Sequence, residues 1–122
     1  LELKNVTAIH SRAEDIAKDK KYREKFDICV SRAVANLASL SEYCLPLVKV
    51  GGSFISYKSK GFDVEVNDAK KAIQVLGGEI SDSIKFKLAE YGERILLDIK
   101  KVKPTASKYP RKAGLPTKEP IR

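Results

Sequence analysis

Methionine is absent from all 122 residues, and histidine occurs once, at His10. A chain that opens on Leu1 without any methionine is expected to be the C-terminal part of a longer protein. The lone histidine reads as structural, and no His/Cys catalytic signature is present. The two cysteines, Cys29 and Cys44, are too few for a disulfide framework and fit buried core positions. They suit a reducing compartment, with the cytoplasm as the default. His, Cys and carboxylates are nowhere gathered at ligand spacing, so no metal site is expected. Apolar runs are only a few residues long, far short of the roughly 20 needed to span a bilayer, and nothing in these residues resembles a signal peptide.

What the chain does contain is enough apolar content, 43%, for one small soluble domain, and a net charge of +8 that is unevenly placed. Lys100, Lys101, Lys103, Lys108, Arg111, Lys112, Lys118 and Arg122 face only Glu119 across the last 23 residues, so this end carries +7. Residues 1–99 are nearly neutral. A localised cationic segment is an electrostatic footprint for a polyanion, most often nucleic acid.

Strands and helices alternate along the body. Val6–Ile9 and Phe26–Val30 read as strands, the second with the unbroken apolar character of burial on both faces. The charged stretch 13–25 between them reads as a solvated helix, or a helix followed by a turn. Asn36 is an N-cap candidate for a helix carrying Leu37, Leu40, Tyr43, Cys44, Leu47 and Val48, with a kink or early stop expected at Pro46. Gly51-Gly52 would then end that helix through a left-handed cap. A strand over Ser53–Lys58 follows, then an amphipathic helix over 63–76 stopped by Gly77-Gly78, and an antiparallel hairpin from Glu79–Leu88 and Arg94–Val102. Beyond Lys103, Pro104, Pro110, Pro116 and Pro120 predict an extended or flexible tail. Two regions follow: a body, 1–103, and a basic Pro-rich tail, 104–122. The order implies parallel crossover units closed by an antiparallel edge.

Two segments echo one another: His10-Ser11-Arg12-Ala13-Glu14 and Val30-Ser31-Arg32-Ala33-Val34. Each places Ser-Arg-Ala at the carboxyl end of an expected strand, which is where open α/β sheets bind ligands. Tyr109 among Lys108, Arg111 and Lys112 offers a stacking platform set in positive charge, suited to single-stranded RNA. Lys58 and Lys60 follow the Ser53 strand at the same edge and are further candidates for RNA contact.

These two blocks, with Lys108-Tyr109-Pro110-Arg111-Lys112-Ala113-Gly114-Leu115-Pro116, resemble the guanine-N7 methyltransferases of 16S ribosomal RNA, the RsmG or GidB family. Ser41–Val48 and Gly77-Gly78-Glu79 fit the same family. The resemblance implies an α/β, Rossmann-like class I methyltransferase fold, present here as its C-terminal portion and lacking the first strands and the glycine-rich loop. It implies S-adenosylmethionine as cofactor and 16S rRNA or the small ribosomal subunit as partner. The complete protein is expected to be a monomer. By the same resemblance Ala13 and Glu14 line the adenosine end of the cofactor, Arg32 belongs to the cofactor site, and Ser11 and Arg12 flank it. No catalytic side chain is implied, because guanine N7 carries a lone pair and no proton. The alternative is a noncatalytic RNA-binding module that uses the basic tail.

Overall fold

The computed structural model describes residues 4–32, 36–58 and 62–122. Helix α1 spans Ala13–Lys18, strand β1 Phe26–Ser31, helix α2 Leu37–Cys44, strand β2 Val48–Lys58 and helix α3 Phe62–Val75. Strands β3, Gly78–Lys87, and β4, Glu93–Lys101, form the closing hairpin, and a single-turn helix α4 covers Leu115–Lys118. The four strands make one sheet in the order β1-β2-β4-β3. β1 and β2 run parallel, while β4 is antiparallel to both β2 and β3. This is the α/β arrangement with a closing antiparallel hairpin.

The core lies on one face of the sheet. Phe54, Ile95, Leu97 and Ile99 point into it from β2 and β4, against Leu37, Leu40 and Cys44 of α2 and Ala69, Ala72 and Ile73 of α3. Alternation along a strand sends the intervening residues to the opposite face. That face is uncovered: Ile28, Val30 and Ile84 are exposed. Burial of β1 on both faces is therefore not observed. β1 is an edge strand in this chain, so one rim and one face of its apolar residues meet no protein partner among the described residues.

Val6–Ile9 forms no strand. Val6 and Ile9 are exposed, and no ladder partner adjoins them among the described residues. A β-prone segment without a neighbour to pair with has nothing to satisfy its backbone groups in a sheet.

Asn36 caps α2 as expected, its side chain accepting from Ser39 N–H at 2.9 Å. The helix stops at Cys44, and Leu45–Leu47 continues as a 3-10 turn built around Pro46. Pro46 thus ends the helix, and the glycines do not. Gly51-Gly52 lie inside β2, where the pairing with β1 slips between Phe26↔Val48 and Ile28↔Ser53. Gly51 takes φ +94° in that bulge. At the end of α3 the expectation holds: Gly77 at φ +93° turns the chain, its N–H donating to Gln74 at 3.1 Å.

The segment beyond Lys103 is not a free tail. Thr105, Pro110 and Pro116 are buried, and Tyr109 and Ile121 pack on the core. Prolines bar a regular ladder or helix, but they do not bar irregular chain from packing, and here polar groups of the body fasten it.

Candidate functional site

Three carboxylates of the body each receive a backbone N–H from residues 105–114. Glu24 Oε2 accepts from Thr105 at 3.1 Å, Glu42 Oε2 from Arg111 at 2.7 Å, and Glu14 Oε2 from Gly114 at 3.0 Å. Arg23 works in the opposite sense. Its guanidinium donates to the carbonyls of Ala17, Thr105, Ala106 and Tyr109, at 2.6 to 3.1 Å. Lys101 completes the clamp: its buried Nζ donates to the carbonyls of Leu45 and Val48 and pairs with Glu24 at 3.1 Å. Burial pushes the Lys101 ammonium below its usual range, and the Glu24 carboxylate opposes that shift.

The strongest of these links joins Glu42 and Arg111. The Glu42 side chain is fully buried, and Arg111 Nε and Nη2 both donate to it, the shortest bond being 2.8 Å. The same carboxylate holds the Arg111 guanidinium above its ordinary pKa. Ser39 and Tyr43 share this face of α2, one turn before and one residue after Glu42. Ser39 Oγ donates to Pro116 O at 2.7 Å, and the Tyr43 hydroxyl meets that of Thr117. A polar stripe on α2 therefore receives residues 111–117.

The first echoed segment is placed at the start of α1. Arg12 is its N-cap residue without a side-chain cap, and Ser11 and Arg12 are exposed. Ala13 is half-buried, whereas Glu14 is buried and bonded to Gly114. Among the described residues no protein group donates to Glu14 Oε1. Arg32 is exposed just beyond β1 and lines a cleft of about 390 Å³ with Val30, Ser31, Ile55, Tyr57 and Leu96. A second cleft, of about 550 Å³, opens beside the N-termini of α2 and α3, between Asn36, Glu65, Asn67 and Ile121. Both clefts flank the carboxyl ends of the parallel strands. No described contact joins Glu14 to Arg32, and Ala33, Val34 and Ala35 of the second segment lie outside the described residues.

The expected RNA contacts separate into two groups. Lys108 and Lys112 are exposed, and the Lys108 ammonium sits 5.3 Å from the Tyr109 ring centroid. Arg111 is committed to Glu42. Lys58 is the last residue of β2, and is buried with its Nζ 2.7 Å from Glu65. Lys60 lies outside the described residues. Sequence reasoning missed Arg23, Glu24, Glu42 and Lys101, because they act through contacts remote in sequence. The one available signal was an acidic residue, Glu42, among the apolar positions of α2.

Cys29 and Cys44 are neighbours, both free. The Cys44 thiol lowers the Cys29 pKa against the opposing effect of burial, while Cys29 and burial together raise that of Cys44 well above the ordinary value. Both sit at the core, as expected of them.

Known proteins resemble this chain in sequence and in fold. A family model described as "GidB: rRNA small subunit methyltransferase G" matches residues 1–96. The curated "Ribosomal RNA small subunit methyltransferase G" of Clostridium kluyveri is 49% identical over 122 residues, covering 100% of this chain and 51% of that protein. The corresponding protein of Alkaliphilus oremlandii is 56% identical, over 98% of this chain and 51% of its own length. The chain thus spans about half the length of the curated relatives it matches. Among solved structures, the M1.HpyAVI–SAM complex superposes with a TM-score of 0.55 at 18% identity, over 78% of this chain and 54% of that one. M1.HpyAVI itself gives 0.58 at 19% identity, over 79% and 55%. Likeness at this level shows the fold alone, an α/β sheet, while the sequence relatives show the family: the chain belongs to GidB, the rRNA small subunit methyltransferase G family.

Proposed function

We propose that this chain is the C-terminal portion of an S-adenosylmethionine-dependent methyltransferase that methylates guanine N7 in 16S rRNA. The observation that carries the reading is Glu14, a buried carboxylate fixed by Gly114 with a second oxygen left without a protein donor among the described residues. Such an oxygen suits the amino or hydroxyl donors of an adenosine, and Ala13 beside it offers a small apolar surface. Arg32, exposed at the carboxyl end of β1, suits the anionic or acceptor groups of the same cofactor. Ser11 and Arg12 flank this wall. When bound, S-adenosylmethionine supplies an electrophilic methyl group.

Guanine N7 presents a lone pair and no proton, so the protein has no proton to remove before attack. Its task is to align donor and acceptor and exclude water, which positioning alone achieves efficiently. No residue of this chain is assigned general-base chemistry. RNA is held by Lys108 and Lys112, exposed cations of the strap formed by residues 104–122, with Tyr109 beside them, and Lys60 is the further candidate. Lys58 and Arg111 are bound to Glu65 and Glu42 instead and make no RNA contact in this reading. The packing of residues 104–122 against the body weighs against a noncatalytic module that uses this segment as a free basic tail. The remaining half of the family's length is assigned to the bare sheet face and the β1 rim, and the whole protein to the cytoplasm as a monomer.

The test is a labelling reaction with the protein that carries this chain together with the rest of the family's length. Methyl-labelled S-adenosylmethionine and small-subunit rRNA are expected to give labelled 7-methylguanosine on digestion. Label on exocyclic amines, or none on RNA, would refute the reading.

A further inference from the structure

We propose that Glu42 and Arg111 are positioning residues for Glu14, acting through the turn at residues 111–115. The inference rests on the reading of Glu14 as a cofactor contact. Glu42 binds both the main-chain N–H and the guanidinium of Arg111, so it fixes that residue in position as well as in orientation. Three residues later Gly114 gives its N–H to Glu14. The turn between them is closed by Leu115 N–H donating to Lys112 O at 3.1 Å, and Gly114 holds φ +85°. Ser39 and Tyr43 grip the far side of the turn at Pro116 and Thr117.

Gly114 N–H therefore reaches Glu14 only while Arg111 is seated on Glu42. That bond fixes the rotation of the Glu14 carboxylate and directs which oxygen stays open. A bond between a charged acceptor and a backbone amide is strong enough for its loss to be felt at the partner oxygen. Lys108 lies outside this turn, and Lys112 enters it only through its backbone carbonyl, its side chain taking no part. Loosening the turn should weaken cofactor binding while leaving RNA affinity in place.

The experiment compares three variants in the protein that carries this chain with the remaining half of the family's length. Arg111→Lys keeps the charge but loses the fork. Gly114→Ala adds a methyl that meets nothing within 4 Å but opposes the positive φ. Glu14→Gln alters the contact itself. Calorimetry with S-adenosylmethionine, RNA filter binding and a melting curve are recorded for each. All three variants are expected to raise the cofactor Kd, by roughly tenfold, with RNA affinity unchanged and the proteins folded. A Kd unchanged in Arg111→Lys and Gly114→Ala but raised in Glu14→Gln would overturn the positioning role and leave the cofactor contact standing. A Kd unchanged in Glu14→Gln would overturn both. Unchanged cofactor binding with lost RNA affinity would make the turn an RNA contact instead. Arg111→Lys is the variant at risk of misfolding; Gly114→Ala, which breaks no ion pair, then decides the matter.

Discussion

Glu42 and Arg111 stand 69 residues apart and form a multiply bonded ion pair, Glu42 fully buried and Arg111 partly so, that joins the last turn of α2 to the last twelve residues. Removing Arg111 leaves an uncompensated charge on the buried Glu42 side chain. Arg111→Ala is therefore expected to lower the unfolding free energy by about 3 kcal/mol. The double variant Glu42→Leu/Arg111→Leu should recover much of the loss, since neither charge is then buried. Urea unfolding of the single and double variants checks both statements.

Lys101 presents the same problem with opposite sign. Its ammonium is buried and held by two carbonyls and Glu24. Lys101→Met strands those acceptors and should cost about 2–4 kcal/mol at neutral pH. Because burial lowers the folded-state pKa below the usual 10.5, the unfolded chain binds more protons in the interval between the two values. The contribution of Lys101 to stability therefore rises with pH across that alkaline interval. The stability difference between the parent protein and Lys101→Met should grow there, and a difference that shrinks would contradict the assignment.

The two cysteines should react unequally. Cys29, half-buried and with its thiol pKa lowered by the neighbouring Cys44 thiol, is expected to be alkylated first by iodoacetamide. Cys44, buried and shifted upward, should react only on unfolding. Peptide mapping over a time course distinguishes the order.

The open edge makes a further prediction. Ile28 and Val30, 59% and 70% exposed, present an apolar strand with an unpaired rim. The 122-residue chain by itself is expected to self-associate through this strand. Val30→Lys should reduce the sedimenting species to monomer. Association unaffected by that change would place the contact elsewhere.

The parts of the fold that were legible in the sequence are those set by local chemistry. Asn36 before an apolar helix, Pro46 within it, and Gly77 after α3 each impose a cap or a stop through a single residue's own geometry. The hairpin was legible from two β-prone runs with a short link. Val6–Ile9 has equal strand character, yet a strand exists only with a neighbour, and sequence character cannot supply one. Gly51-Gly52 was misread because a glycine pair serves a helix cap and a strand bulge alike. The prolines after Lys103 misled for a similar reason: they exclude regular structure, and packed irregular chain is also irregular. Its fastening depends on Arg23, Glu24, Glu42 and Glu14 meeting amides and carbonyls 69 to 100 residues away, and such bonds leave no periodic trace. Of the site residues, Glu14 was recognisable by family resemblance, while its partner Gly114 emerged only from the folded chain.

Amide hydrogen exchange at Thr105, Arg111 and Gly114 tests most directly whether residues 104–122 are a fastened strap that carries Glu14. Each N–H donates to a separate carboxylate, Glu24, Glu42 and Glu14. All three are expected to exchange far more slowly than exposed amides of the same segment such as Ser107, and Glu14→Ala should release Gly114 selectively. Exchange of all three at unstructured-chain rates would contradict the strap and the seating of Glu14 that depends on it.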